Sequence, residues 1–250
     1  MSESPQTTNS AERLISLLKP ALTPAPNAPY LQVWRTVFTP VTDLVAIYHN
    51  LYLLSELINQ IEAEIKSTPN IRHELFLQPF PALRKHVLID NLTQGSNDFQ
   101  RDLPAIVNTL EFCSDTLSRV HPEAAIPKSE LDELLAGITD LLTLLATTKE
   151  LNKHLRDILF SLLTAAQISI SSYKIKGAQG LRKDLFAIFA IIQVHLDEIN
   201  ASKATPEVSK FDDIMRKFDK FTARALKVKE MFTAAAPLLA YAGNVANQLM

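Results

Sequence analysis

Six histidines are scattered through the 250 residues: His49, His73, His86, His121, His154 and His195. In two pairs in the second half of the chain, a carboxylate and an imidazole stand about one helical turn apart. Glu150 and His154 stand four apart, and His195 and Glu198 three apart. If two such pairs face each other across a bundle, imidazole nitrogens and carboxylate oxygens can meet as metal ligands do. A di-iron bundle needs Glu-x-x-His on two helices and a lone Glu on two more. The order here is His-x-x-Glu, so that centre is not expected. A three-histidine set from His49, His154 and His195 has no spacing to favour it. The expectation is no metal site, with His154 at a boundary and His195 a satisfied interior residue.

Nucleophiles are equally sparse. Cys113 follows Phe112 on an apolar helical face, with no cation near it in sequence to lower its pKa, so a buried structural thiol is expected. No Gly-x-Ser-x-Gly elbow occurs. Gly177-Ala-Gln-Gly180, flanked by Lys174, Lys176, Arg182 and Lys183, is the only stretch resembling an anion cradle. It does not follow a strand, so a helix–helix turn with solvated lysines is expected. Asp212-Asp213 resembles the start of the acidic metal-diphosphate motif of helical prenyl-processing enzymes. Arg216 stands where a further carboxylate is needed, and two Asp near a helix start are explained as partners of its dipole. These observations lead to an expectation of no catalytic residue, no cofactor and no enzyme.

The charge distribution is uneven. The net charge is −2, yet residues 174–230 hold 12 Lys+Arg against eight Asp+Glu. Residues 207–230 read as a basic amphipathic helix, and residues 231–250 carry no charge at all. Acidic residues interleave with the basic ones, so a phosphate-tracking face is absent and nucleic acid is not an expected partner. Two readings of this region remain open. Lys217, Lys220, Arg224 and Lys227 could meet anionic headgroups while Phe232, Leu238, Leu239, Val245 and Leu249 enter lipid. Alternatively, Met231, Ala235, Leu238, Ala242, Val245 and Leu249 form a narrow seam that docks on another helix.

Leu17-Leu18-Lys19-Pro20, Phe38-Thr39-Pro40 and Arg216-Lys217-Phe218-Asp219-Lys220-Phe221 with Ala235-Ala236-Pro237 look like stretches of glycolipid-transfer proteins, an all-helical family that sandwiches one lipid. The segments are spaced differently. The family's headgroup histidine corresponds to Asp219, and Trp34, the single Trp, does not match its sugar-stacking position. The likeness implies a lipid-sized apolar cavity.

The elements that would position these groups are helices. Hydrophobic residues make up 47% and charged residues 21%, a balance that excludes wholesale disorder. Five Gly are too few for the turns of a sandwich or barrel, and one Cys excludes a disulfide framework or a multi-Cys zinc site. Ser10 is expected to cap a short helix with Glu12 and Arg13 outward. Pro20, Pro24, Pro26 and Pro29 then make an extended strap. Leu44, Ile47, Leu51, Leu54, Ile58, Ile61 and Ile65 recur at helical spacing. Short helices are expected on either side of Gln78–Pro81, a loop over 93–98, and a helix from Asp102 to Val120. His121–Lys128 reads as a linker. One continuous helix is expected over 129–173, because Ala146–Lys149 contains no Gly or Pro, the alternative being a turn at Thr147-Thr148. Residues 181–200 are apolar on every side at their middle, so that helix should be central.

The chain therefore reads as all-α: a single elongated bundle of seven to eight helices over 30–250, with a subdivision allowed at 121–128 and an N-terminal tail, short helix and Pro-rich strap over 1–29. Its expected function is non-catalytic protein–protein interaction, self-association included. The alternative is membrane or lipid engagement through 207–250. Exposed apolar surface is expected around Trp34, Val37 and Phe38 or along the tail seam. The opening ten residues are polar, without a basic-then-apolar leader pattern, which suggests a cytoplasmic protein, peripheral at a membrane if the tail engages lipid.

Overall fold

The computed structural model describes residues 7–25 and 27–226, with side chains from Thr8 to Phe218 other than Pro26 and Ala124. Among these residues the fold is all-α, apart from the two-residue strands β1 (Thr7–Thr8) and β2 (Glu123–Ala124). The helices are α1 (Ser10–Leu18), α2 (Tyr30–Val37), α3 (Leu44–Ser67), α4 (His73–Leu77), α5 (Phe80–Val87), α6 (Asn97–Val120), α7 (Lys128–Thr147), α8 (Lys153–Ser171), α9 (Tyr173–Val194), α10 (Leu196–Ala201) and α11 (Pro206–Leu226). They exceed the expected seven to eight because α4 and α10 are single short turns and because the run over 129–173 is broken. The chain divides into two compact units. One comprises 1–123 and 171–181, the other 124–170 and 182–250.

In the first unit α1 lies against α6 and α3, and α3 against α4, α5 and α6. The predicted inward stripe of α3 is buried from Ile47 to Ile65, while Leu44 is exposed. Trp34, Phe80 and Phe99 are fully buried, and Trp34 stacks on Phe99 with ring centroids 5.3 Å apart. Trp34, Val37 and Phe38 thus belong to the core, not to the exposed patch expected of them. Phe99 of α6 stacks on Tyr30 and Trp34 and closes the apolar side of α2. Helix α6 starts at Asn97, five residues before the expected cap, and carries Pro104 inside. Proline there removes one backbone hydrogen bond. Fully buried Phe99 and Leu103, just before it, offset that loss.

Helix α1 is short for an autonomous helix, and its stability comes from side chains. Asn9, rather than Ser10, is the cap: its Oδ1 accepts from the Glu12 N–H at 2.9 Å. Its Nδ2 donates to the Ser114 carbonyl at 3.1 Å and to Ser118 Oγ at 2.8 Å on α6. Ser10 Oγ instead donates to Glu64. Arg13, expected outward, is buried. Its Nη2 donates to Glu123 Oε1 at 2.9 Å and its Nη1 to the Ile175 carbonyl. Gln60 joins the network, donating to Glu64 Oε1 at 2.7 Å and Glu123 Oε1 at 3.4 Å. Amphipathic spacing alone misplaces Arg13, because its carboxylate partner lies 110 residues away in sequence.

The Arg13 guanidinium also explains Gly177. This residue has φ +64°, interrupting α9, and a Cβ built there would come within 2.4 Å of Arg13 Cζ. The space that a phosphate-cradling loop would offer is filled by the chain's own cation.

In the second unit α7 packs along α11. Leu134, Ile138, Leu141 and Leu145 of α7 and Val208, Phe211, Ile214, Met215 and Phe218 of α11 are buried. Gly137 faces Ile214, where a Cβ would make only ordinary van der Waals contact at 3.8 Å. The expected continuous helix over 129–173 is broken at 148–152. Thr148 is extended (φ −68°, ψ 145°). Its hydroxyl donates to Glu207 Oε1 at 2.5 Å and accepts from the Glu150 N–H at 3.3 Å. Asn152 Oδ1 then caps α8 by accepting from the Leu155 N–H at 2.8 Å. Side-chain competition for backbone groups, not a Gly or Pro, ends this helix.

Two outcomes are expected from this packing. Arg13→Ala leaves Glu123 buried without its cation and costs about 3–5 kcal/mol. Arg13→Met with Glu123→Leu recovers much of that loss. Urea titration followed by the fluorescence of Trp34 measures both. Separately, burial pushes the His86 imidazole below its ordinary range, with Lys85 adding to the effect and Asp102 and Asp98 opposing it. The unfolded chain then binds one more proton between the lowered value and the ordinary 6.5. Stability falls as pH drops below about 6.5, and His86→Gln flattens that dependence in melts taken across the same range.

Candidate functional site

The break at 148–152 and the bend between α9 and α10 each place a histidine. Asn152 starts α8, so His154 falls in its first turn and points outward, its side chain 71% exposed. At the other end of the unit's sequence, α9 stops at Val194. His195 adopts φ −106°, ψ 14°, its N–H shared between the Ile191 and Ile192 carbonyls at 3.3 and 3.1 Å. The next helix begins at once and carries Glu198 in its first turn. The expected helix over 181–200 is therefore two helices, and Glu150 lies in the loop before α8 rather than on a helix with His154.

These two local events bring His154, His195 and Glu198 together. One nitrogen from each imidazole and one carboxylate oxygen all lie within 4.8 Å of one another. His154 Nε2 stands 3.7 Å from Glu198 Oε2, beyond hydrogen-bonding distance. The rings are 5.9 Å apart and near perpendicular, at 74°. Asn152 Nδ2 donates to the second carboxylate oxygen, Glu198 Oε1, at 3.3 Å. Because the Leu155 N–H fixes Asn152 Oδ1, the amide nitrogen must face Glu198. The i, i+3 relation of His195 and Glu198 was visible in sequence. Which of the other histidines joins them was not, since that depends on where α8 begins.

A second feature lies on α9 immediately before His195. Phe186, Ala187, Ala190, Ile191 and Val194 are exposed along one face, Val194 at 79%. This corrects the expectation of a central helix covered on all sides. Among the described residues, Leu185 and Ile188 point into the unit while this outer stripe remains in solvent. A cavity of about 120 Å³ lined by Phe189, Ile192, Leu196, Ile199, Val208 and Phe211 sits in the same unit. Small-molecule sites run to roughly 300–1,000 Å³, so this one does not provide the lipid-sized space that the glycolipid-transfer likeness implies.

The remaining candidates resolve as structural groups. Cys113 is fully buried, and burial pushes its thiol up to about 12. Tyr30, His86 and Asp102 form a chain that resembles a catalytic relay. The Tyr30 hydroxyl, raised to about 12 chiefly by burial, shares a 2.6 Å hydrogen bond with His86 Nδ1, and His86 Nε2 stands 3.6 Å from Asp102. Phe99 packs on both rings, with centroids 6.0 Å from Tyr30 and 5.0 Å from His86, leaving no room for a substrate against them. Asp212 is the seventh residue of α11, past the first turn where the helix dipole acts, and pairs instead with Arg216 one turn along. Lys217 is held by Glu133 of α7 at 2.7 Å. Lys220 and Arg224 lie on α11 beyond the described side chains, and Lys227, Phe232, Leu238, Leu239, Val245 and Leu249 lie outside the described residues.

The thiol gives a direct check on this sorting. Native protein is expected to leave Cys113 unmodified by a disulfide reagent such as DTNB over hours, and denatured protein to react with one equivalent within minutes. Fast native reaction would place the thiol at the surface.

No protein-family model, no curated protein and no solved structure matches this chain.

Proposed function

We propose that this protein is a non-catalytic helical protein that works by pairing helices with a second copy of itself, through the outer stripe of α9. The observation that carries this reading is the run Phe186, Ala187, Ala190, Ile191 and Val194, apolar at helical spacing and exposed. Large apolar side chains left in water cost free energy that a partner recovers. Ala187 and Ala190 sit between the large ones and let a second helix approach closely. A helix face of this kind is self-complementary about a two-fold axis, the commonest oligomer symmetry. The chain's net charge of −2 offers almost no long-range repulsion between copies. Phe160 and Ile168 of α8 add exposed apolar surface in the same unit.

The stripe alone is smaller than a standard interface, so the expected association is reversible and in the micromolar range rather than obligate. Light scattering coupled to gel filtration tests it. Full-length protein at high micromolar concentration is expected to show a mass approaching twice 27.9 kDa. Ile191→Glu with Val194→Glu places two charges in the pair and is expected to weaken association more than about tenfold, returning the mass to 27.9 kDa with unchanged helical circular dichroism. A full-length chain that stays monomeric, or a double variant that still dimerises, overturns the reading.

A further inference from the structure

We propose that His154, His195 and Glu198 form a binding site for one divalent transition-metal ion, with Zn²⁺ the best fit. The donor set points to the ion class. Two imidazoles and one carboxylate suit borderline ions such as Zn²⁺. Ca²⁺ and Mg²⁺ prefer all-oxygen shells, and a site without thiolate or thioether does not select soft Cu(I).

The geometry lies close to what zinc requires. Four-coordinate zinc holds its ligand atoms at roughly 2.0–2.2 Å, which places them roughly 3.3–3.5 Å from one another. The three donors already lie within 4.8 Å, and the His154–Glu198 separation is 3.7 Å. The remaining contraction is small, and the His154 side chain, 71% exposed with its ring edge-on to His195, has solvent on its other side in which to move. His195 and Glu198 are less free. Both are partly buried, and both sit where the chain bends from α9 into α10. The site is therefore half fixed and half adjustable.

The surroundings also match those of a metal site. Ligating carboxylates are themselves hydrogen-bonded by groups that fix their orientation. Asn152 does this for Glu198, and its own amide is oriented by capping α8. Three protein ligands leave a fourth position for water, and His154 keeps that side open to solvent. Bound metal would tie the first turn of α8 to the α9–α10 bend, two segments separated by some 40 residues of sequence and here joined directly by the Asn152–Glu198 hydrogen bond. The inference does not depend on self-association.

The test is calorimetric titration of ZnCl₂ into untagged, chelator-treated full-length protein slightly above neutral pH, with CoCl₂ absorption as a geometric probe. One ion per chain is expected, together with the intense visible bands of four-coordinate cobalt. His154→Ala, at an exposed position that folding does not need, and Glu198→Gln should each weaken binding more than about tenfold and abolish those bands. His49→Ala, on α3 of the first unit, should leave both unchanged. The Ile191→Glu, Val194→Glu chain should bind zinc as the parent does, which keeps this site's outcome separate from that of the dimer. Absence of saturable zinc uptake, or uptake that survives His154→Ala and Glu198→Gln together, overturns the proposal.

Discussion

Burying an arginine and a glutamate strips both of water, and their attraction offsets that loss only when geometry and further hydrogen bonds are favourable. The first unit is arranged around meeting those conditions. Arg13 reaches Glu123 and the Ile175 carbonyl. Gln60 bonds the same carboxylate and Glu64, and Glu64 takes the Ser10 hydroxyl. Four separate stretches of chain are thereby held in one register: α1, α3, the end of the segment after α6, and the start of α9. Apolar burial on α1 supplies attraction without direction. The polar network selects which rotation of α1 is native, and it accounts for Gly177, the described glycine with a left-handed backbone. Arg13 Nε and Glu123 Oε2 are left without partners, so the pair contributes more to uniqueness than to stability.

Much of the fold was legible because it follows from periodicity. The α3 stripe and the amphipathic α11 each depend on residues three or four apart. Pro79 and Pro81 mark the start of α5 by their fixed backbone angle. What was not legible depends on partners far away in sequence. Arg13 looked solvated until Glu123 was placed beside it. Trp34 and Phe38 looked like a surface patch until Phe99 was stacked on Trp34, with Phe38 against the same indole. In the sequence a turn at Thr147-Thr148 is the less favoured of two readings, because neither Gly nor Pro marks it. A hydroxyl and an amide, each ordinary inside a helix, capture backbone groups there.

The same break bears on the histidine cluster. One carboxylate–imidazole pair, His195 and Glu198, was readable as neighbours on one face. The other, Glu150 and His154, was built on the assumption of a continuous helix. Ending α7 at Thr147 and restarting at Lys153 removes Glu150 from the pairing and leaves His154 in a first turn, where it can face the α9–α10 bend. A local competition for hydrogen bonds thus decides which side chains meet.

Chain connectivity carries one more consequence. The first unit takes its last piece, 171–181, from the far side of a 47-residue excursion through 124–170. During biosynthesis, Arg13 leaves the ribosome long before the carbonyl of Ile175 exists to receive it. Until that later strip emerges, the nascent N-terminal half can pair Arg13 with Glu123 but lacks the Ile175 carbonyl that takes its second hydrogen bond. The native form of this half is thus complete only after the other has been elongated, since Ile175 supplies both a buried side chain and the acceptor for Arg13.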